Sequence, residues 1–263
     1  MNSAPRKIEP VLRSRINGGG KCLVPYITGG YDGYVEALHA ASESGADAIE
    51  IGIPFSDPVM DGPTIQKAND VVLSKNITPF DILQEIRDIN LGIPLAVMTY
   101  YNIAYRFGHE RFANALQEAG ISGVILPDLP LNEAQPWLSA ALQHDIETIM
   151  LAAPTTEDER LLQICQESRG FVYAVGLLGI TGVRRELAES AVLIAERCKR
   201  VTDMPVLVGV GIGTPEQARE ISTVADGCIV GSAIVQKLLD NEGAESIGNF
   251  VKDIRHAMDC IDT

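Results

Sequence analysis

The chain has 263 residues, of which 46% are hydrophobic and 21% are charged. This length suits one large domain, since α/β barrels often fill roughly 200–250 residues as a single unit. The formal net charge of −14 argues against a nucleic-acid-binding protein, which needs a basic surface. Any phosphate site therefore has to be built locally from backbone N–H groups.

The chain shows no targeting segment and no cysteine framework. Its N-terminus lacks the apolar stretch of a signal peptide, and no later stretch is long and apolar enough to span a membrane. The five cysteines are far apart and form no C-x-x-C pair, which favours free thiols over a zinc site or disulfides. We expect a cytoplasmic protein without membrane contact.

Eight short apolar segments alternate with segments of helical periodicity along the chain. They lie at residues 22–28, 47–53, 94–100, 122–127, 146–151, 170–175, 205–210 and 226–231. Such alternation indicates parallel strands joined by right-handed crossovers. It predicts an α/β fold, a (β/α)8 TIM barrel forming a single domain over residues 1–263, with residues 1–20 as a short helical N-terminal extension. An open doubly wound sheet is the alternative, but no G-x-G-x-x-G follows the first strand.

Two of the connections between predicted strands are unusually long. The first contains the loop 54–63 and two helical patterns, and it joins the second strand to the third. The second follows the sixth strand and contains residues 176–187. Because the loops after the strands form the catalytic face of such a barrel, we expect functional residues on both connections.

The second predicted strand carries a glutamate at a position that faces the barrel interior. Side chains alternate along a strand, so Glu50 points inward while Ile49 and Ile51 face the helices. No lysine or arginine lies on this strand to neutralise the carboxylate. Two interpretations remain open: a structural carboxylate hydrogen-bonded to backbone donors, or a general acid/base with a raised pKa.

The loop 54–63 offers two further carboxylates. Asp57 precedes a proline and is typical of a turn. Asp61 is the better candidate for a second acidic group, although it also lies where it could cap the helix that we expect to begin at Pro63.

Glycine-rich turns follow the last three predicted strands, at residues 179–182, 209–213 and 231–232. Residues 214–217 read as an N-cap, a first-turn proline and a capping-box glutamine, and Ser232 is expected to open the last helix. Helix N-termini beside glycines bind phosphate, and barrel enzymes often place it after strands seven and eight. The pattern predicts a phosphate site.

Several kinds of chemistry are disfavoured. The four histidines fall in helical segments, which argues against a histidine-bound metal, and we expect no metal site. No lysine lies on a predicted strand, which disfavours a Schiff base or pyridoxal phosphate on this chain. Aromatic and apolar residues near strand ends suggest a flat hydrophobic substrate: Tyr26, Met98, Tyr100, Ile125 and Tyr173, with Asn102 and Asp128 as polar neighbours.

Residues 50–58 and 61–66, with the sequences EIGIPFSDP and DGPTIQ, closely resemble the signature of the tryptophan synthase α subunit family. Further blocks resemble that family in the same order, at residues 24–28, 98–102, 127–130, 179–182 and 231–235. The resemblance covers nearly the whole chain. It implies a (β/α)8 barrel and a lyase of tryptophan biosynthesis that cleaves indole-3-glycerol phosphate into indole and glyceraldehyde 3-phosphate.

The resemblance also implies roles for individual residues. Glu50 is expected to protonate indole C3 and to accept the proton of the neighbouring hydroxyl during retro-aldol cleavage. Asp61 is expected to bind the indole N–H and to stabilise the developing positive charge. The family pattern places Tyr173 near the cleaved bond and Thr181 beside the loop aspartate. It places the phosphate on the N–H groups around Gly182, Gly211, Gly231 and Ser232.

Members of this family usually bind a β subunit that carries pyridoxal phosphate and receives the indole. The resemblance therefore implies an α2β2 complex, with no cofactor on this chain. The loops 54–63 and 176–188 and the region of Pro130 are expected to form the docking and closing surfaces. One departure is clear: Leu177 and Leu178 stand where the family often has a serine.

Three alternatives remain. One is a stand-alone lyase that releases indole without a partner, and another is a non-catalytic activator of a β chain. The third is a different phosphosugar barrel, such as an isomerase, which the lack of a second phosphate-binding half disfavours. The presence of both Glu50 and Asp61 argues against a non-catalytic role.

Overall fold

The computed structural model describes residues 6–176, 184–209 and 211–260, with only the backbone described at 184–188. The strands of this part are β1 (Cys22–Thr28), β2 (Ile49–Gly52), β3 (Leu95–Met98), β4 (Gly123–Ile125), β5 (Glu147–Ala152), β6 (Val172–Val175), β7 (Val206–Gly209) and β8 (Gly227–Val230). All eight predicted strand segments are confirmed.

Helices cover the outside of the strands. Within the described ranges they are α1 (Ile8–Asn17), α2 (Tyr34–Glu43), α3 (Pro63–Ser74), α4 (Pro79–Arg87), α5 (Tyr101–Phe107), α6 (His109–Glu118), α7 (Gln135–Gln143), α8 (Asp158–Glu167), α9 (Arg184–Val201), α10 (Pro215–Ser222), α11 (Ser232–Leu239) and α12 (Gly243–Asp259). None of these helices has the length and apolar character needed to cross a membrane.

The strands form a closed parallel barrel in sequence order. Each strand pairs with the next, and β1 closes the barrel by pairing with β8, with Cys22 opposite Gly227. The predicted single-domain (β/α)8 barrel is therefore confirmed. Closure in this order brings the carboxyl ends of all eight strands to one rim, where the loops that follow them meet.

Strand β2 shows how the alternation of side chains works in this barrel. Ile49 and Ile51 are fully buried members of the hydrophobic core, while Glu50 on the opposite face of the strand lines a cavity at the rim. The apolar residues thus seal the strands against the helices, as the sequence predicts.

Charged groups at the amino ends of the strands are paired. The carboxylate of Asp47 accepts hydrogen bonds from the Leu23 N–H at 2.8 Å and from the Arg255 guanidinium at 2.6 Å, linking β1 to α12. The carboxylate of Glu147 accepts the N–H groups of Ile8 and Glu9 at 2.7 and 2.9 Å. These bonds satisfy free N–H groups at the start of α1 and hold that helix across the amino end of the barrel.

Two local predictions need correction. Ser232 begins α11 rather than the last helix, because α12 follows at Gly243–Asp259. Thr214 caps α10 as expected by accepting the Gln217 N–H, but the Gln217 side chain accepts the N–H of Gly213 instead of that of Thr214. The loop before α10 is therefore closed one residue earlier than a capping box would close it.

The buried pair between Asp47 and Arg255 predicts a clear effect on stability. Asp47→Ala removes the closer carboxylate of a guanidinium that is only 11% exposed, leaving the more distant Asp259 at 3.4 Å, and it leaves the Leu23 N–H without this acceptor. We expect the free energy of unfolding to fall by about 2–4 kcal/mol in urea titrations.

The matched control is Asp158→Ala, which removes the pair with Arg197 at a carboxylate that is 94% exposed. An exposed pair contributes less than about 1 kcal/mol. Equal effects of the two substitutions would contradict the assignment of Asp47 as a structural anchor.

Candidate active site

The carboxyl ends of the strands surround a cavity of about 230 Å³. Its described wall is mostly apolar, with Ile125, Leu151 and Ile229 among the lining side chains. The carboxyl groups of Glu50 and Asp61 reach it from one side. A cavity of this composition suits a ligand with a flat apolar body and a few polar groups.

A larger depression of about 720 Å³ lies at the amino end of the barrel, beside Lys21 and Asp47. Four of its charged side chains, Arg15, Lys21, Asp47 and Asp259, already have partners. Arg15 pairs with Asp259, and Lys21 donates to the Ala225 carbonyl at 3.0 Å. Active sites of such barrels lie at the carboxyl face, and we place the candidate site there despite the smaller volume.

Glu50 is the most unusual side chain of the cavity. It is 1% exposed, and neither of its carboxyl oxygens has a hydrogen-bond partner among the described residues. Burial and, to a smaller degree, the nearby charge of Asp61 together raise its pKa to about 8. The structure therefore shows none of the backbone donors that a structural carboxylate requires. Glu147 on β5 has two such donors and provides the contrast.

The neighbours of Glu50 explain how the barrel accommodates it. Its partners in register are Tyr26 on β1 and Ala96 on β3. Ala96 and Tyr26 are themselves 1% and 5% exposed, so both neighbours of Glu50 are buried. The carboxyl group consequently lies in an apolar environment that favours its protonated form.

Two tyrosines project into the cavity across glycines. A Cβ atom at Gly52 would overlap the hydroxyl end of Tyr26, and one at Gly209 would lie 2.5 Å from the Tyr173 hydroxyl oxygen. Glycine at the ends of β2 and β7 thus provides the space that these rings occupy. The sequence predicts both tyrosines as substrate-site residues, but it gives no signal for the role of these glycines.

The loop 54–63 brings Asp61 to the cavity. The Met60 N–H donates to the Tyr100 hydroxyl at 3.0 Å, and the ring of Phe55 stacks on Tyr100 with centroids 5.2 Å apart. The Asn69 amide donates to the Asp61 carboxylate at 3.1 Å. Burial raises the pKa of Asp61, while hydrogen bonds from Tyr100 and Asn69 oppose this shift.

The structure excludes the helix-capping interpretation of Asp61. Helix α3 begins at Pro63 as predicted, its N-cap is Gly62, and no side chain caps it. Asp61 therefore does not cap the helix and faces the cavity instead. Asp57 accepts a hydrogen bond from the neighbouring Ser56 hydroxyl at 2.6 Å, in line with its expected local role in the turn.

Glycines at or near the start of two helices also line the cavity. Gly231 and Ser232 lie at the N-terminus of α11, and Gly211 lies shortly before α10 with a positive φ of 69°. Backbone N–H groups at such a position favour an anion. Thr181 and Gly182, which the sequence analysis also assigns to the site, lie outside the described residues.

Most of the predicted site residues come together around this cavity. They are Tyr26, Glu50, Asp61, Met98, Ile125, Tyr173, Gly211, Gly231 and Ser232. Tyr100 is not among the lining residues. It contacts the loop 54–63, where its hydroxyl accepts the Met60 N–H. Asn102 is exposed on α5, and Asp128 accepts the Tyr101 N–H at 2.8 Å.

Sequence reasoning missed part of the wall. Leu151, Val175 and Ile229 line the cavity from β5, β6 and β8, and Met60 and Ile65 approach it from the loop and α3. Alternation along the strands was the available signal for the first three. The other two carry no such signal, because their positions depend on how the loop folds back onto the rim.

A closed parallel barrel with two carboxyl groups and glycine-lined helix N-termini at one cavity is typical of enzymes that perform acid/base chemistry on phosphorylated substrates. Residues 14–258 match the sequence model of the tryptophan synthase alpha chain family, and the chain belongs to that family. The predicted function is thereby confirmed: the chain is a lyase of tryptophan biosynthesis that carries out the alpha reaction on indole-3-glycerol phosphate.

Individual relatives agree with this assignment. The chain is 41% identical over 250 residues to the tryptophan synthase alpha chain of Streptomyces avermitilis, covering 90% of each sequence. It is 42% identical over 236 residues to the alpha chain of Methanocaldococcus jannaschii, covering 86% of this chain and 84% of the relative.

Solved structures show the same similarity. A chain of tryptophan synthase from M. tuberculosis, in an aminoacrylate- and BRD0059-bound form, superposes with a TM-score of 0.87 at 38% identity. The match covers 97% of this chain and 99% of that chain. The alpha chain from Legionella pneumophila gives a TM-score of 0.85 at 34% identity, covering 97% and 98%.

The raised pKa of Glu50 predicts a pH-dependent stability difference. The folded protein holds this proton up to about pH 8, whereas the unfolded chain releases it near 4.5. Stability linked to the group therefore declines as the pH rises between these values. Relative to the wild type, Glu50→Gln should gain roughly 2 kcal/mol of unfolding free energy between pH 5 and pH 7.

Urea unfolding at several pH values measures this difference, with Glu118→Gln at an exposed position of α6 as the control. The absolute stability of Glu50→Gln includes the cost of the new amide, but that cost does not change with pH. A constant difference between Glu50→Gln and the wild type across this pH range would contradict a protonated Glu50.

Proposed function

We propose that Glu50 is the acid/base of the cleavage of indole-3-glycerol phosphate and that Asp61 stabilises the charge formed on the indole. The observation that carries this proposal is the burial of a glutamate that has no hydrogen-bond partner among the described residues, beside a second carboxyl group and at the wall of the cavity. A general acid has to be protonated at neutral pH, and burial keeps the Glu50 carboxyl group protonated there by raising its pKa.

The reaction breaks the bond between indole C3 and the first carbon of the glycerol chain. Glu50 in its protonated form donates a proton to C3, which turns the indole into a leaving group. The resulting carboxylate then accepts the proton of the adjacent hydroxyl as the carbonyl of glyceraldehyde 3-phosphate forms. One proton is donated and one is accepted, so Glu50 returns to its initial state.

Asp61 supports the first of these steps. Protonation at C3 places positive charge on the indole ring, and a carboxylate beside the ring nitrogen stabilises it more than it stabilises the neutral substrate. The charge of Asp61 also raises the pKa of Glu50. The two carboxyl groups thus have different roles: Glu50 carries the proton, and Asp61 carries the negative charge.

The remaining walls match the other parts of this substrate. Ile125 and Leu151 offer apolar surface for the indole, and Tyr26 and Tyr173 project beside Glu50. We assign the phosphate to the backbone N–H groups around Gly211, Gly231 and Ser232, together with Gly182, and we keep Thr181 as a substrate-site residue. Tyr100 is proposed to act on the substrate through Asp61 and the loop that it binds. The chain has a net charge of −14 and therefore repels phosphate overall. The N-termini of α10 and α11 favour an anion locally, at the cavity.

The first test is indole release from indole-3-glycerol phosphate by Glu50→Gln. We expect a loss of at least ~10²-fold, because the amide can neither donate the proton to C3 nor accept one from the hydroxyl. The rate of indole formation at saturating substrate measures this.

The control is Glu147→Gln, which neutralises another buried strand glutamate at the far end of the barrel. It should retain nearly the wild-type rate. Near-normal turnover by Glu50→Gln, with its fold intact, would rule out Glu50 as the acid/base and would favour a non-catalytic activator.

We further propose that the chain works in an α2β2 complex with a tryptophan synthase β subunit. The pyridoxal phosphate of that complex belongs to the β subunit, and this chain carries no cofactor. The loop 54–63 suits a docking surface, since Val59 in it is 72% exposed, and Tyr105 on the nearby α5 is 64% exposed. We place the complex in the cytoplasm, where amino-acid biosynthesis takes place.

A cognate β subunit should raise indole release by this chain by at least about tenfold, because ordering of the loops at the cavity completes the site. Indole formation is measured with the chain alone and with increasing amounts of partner. A rate that is fast alone and does not respond to the partner would instead identify a stand-alone lyase.

A further inference from the structure

Asn69 is a polar residue on the buried side of helix α3. The buried positions of this helix are Ala68, Asn69 and Val72, so an amide interrupts an otherwise apolar face. Asn69 is 2% exposed, and its carbonyl oxygen has no hydrogen-bond partner among the described residues. A buried acceptor without a partner destabilises the folded state, and an apolar side chain at this position would avoid that cost.

Within the part of the chain that the structure describes, the amide nitrogen of Asn69 donates one hydrogen bond, to the Asp61 carboxylate at 3.1 Å. The same helix also contacts Asp61 through Gln66, whose amide donates to the Asp61 carbonyl at 2.7 Å. Helix α3 thus holds the residue that lies two positions before its own start, once by the main chain and once by the side chain.

We propose that Asn69 is a positioning residue that holds the carboxylate of Asp61 in place at the cavity. This inference rests on the role proposed above for Asp61. A carboxylate at the end of a loop samples several rotamers unless it is bound, and a charge-assisted hydrogen bond from a buried amide selects one of them. The site then needs no rearrangement of Asp61 when positive charge forms on the indole.

Other groups around Asp61 do not replace this bond. Tyr100 donates to the same carboxylate, but its hydroxyl also accepts the Met60 N–H and so belongs to the loop contact. The titratable groups that face Asp61 from the strands are Glu50 on β2, Tyr26 on β1 and Tyr173 on β6. All three are neutral when Glu50 holds its proton, which leaves Asn69 and Tyr100 as the donors that stabilise the ionised form.

The test combines a direct titration with kinetics. The pKa of the Asp61 carboxyl group is followed by carbon-13 NMR in the wild type, in Asn69→Ala and in the nearly isosteric Asn69→Asp. We expect both substitutions to raise this pKa and to lower kcat by about tenfold or more, with a smaller change in KM. The Asp variant covers the case in which the Ala variant disturbs packing.

The matched control is Asn114→Ala. The Asn114 amide also donates to a carboxylate, that of Glu118 at 3.0 Å, but on the exposed face of α6. This variant should leave the Asp61 titration and kcat unchanged.

The variant Asp61→Asn distinguishes a failure of the role proposed for Asn69 from a failure of the role proposed for Asp61. If Asp61→Asn is inactive and Asn69→Ala retains the wild-type pKa and kcat, the positioning role of Asn69 is overturned while the proposed function stands. If Asp61→Asn is fully active, the assignment of Asp61 fails, and the role of Asn69 fails with it. A raised pKa together with a lowered kcat in both Asn69 variants supports the proposal.

Discussion

The active end of this barrel depends on the burial of one carboxyl group, Glu50, that has no counter-ion among the residues described in the structure. An ionised carboxylate in an apolar environment is strongly disfavoured, so Glu50 holds its proton up to about pH 8. The closed barrel of parallel strands makes this possible, because its interior excludes water. Inward side chains near the carboxyl ends of the strands nevertheless remain accessible from the rim. The same position that makes the group unfavourable for stability makes it a competent acid for a substrate that enters from the rim.

Charged groups at the two ends of the barrel follow opposite rules. At the amino end, Asp47, Glu147 and Asp226 each accept backbone N–H groups, and Asp47 and Asp226 also pair with cations. At the carboxyl end, Glu50 has neither kind of partner among the described residues. Folding stability is thus concentrated where the chemistry does not take place, and the strained electrostatics are confined to the cavity.

The strands and the inward direction of Glu50 could be predicted because both depend on local periodicity. Parallel strands buried on both faces give continuous apolar segments, and alternation then fixes which face each residue occupies. The choice between structural and catalytic interpretations of Glu50 could not be made from sequence, since it depends on whether backbone donors reach the carboxyl group. Asn69 was missed for a related reason: an asparagine on a helix gives no signal until the loop before that helix folds back against it.

The contacts of the loop 54–63 bear on how this chain relates to a partner. Tyr100 binds the Met60 N–H, Phe55 stacks on Tyr100, and two amides of α3 hold Asp61, all within a single chain. Contacts within this chain therefore hold Asp61 at the cavity. A β subunit that increases the rate would then act on a step that these contacts do not determine, such as closure of the loops over the substrate. Activation by a partner and preorganisation of the aspartate are thus compatible, because they act on different parts of the same rim.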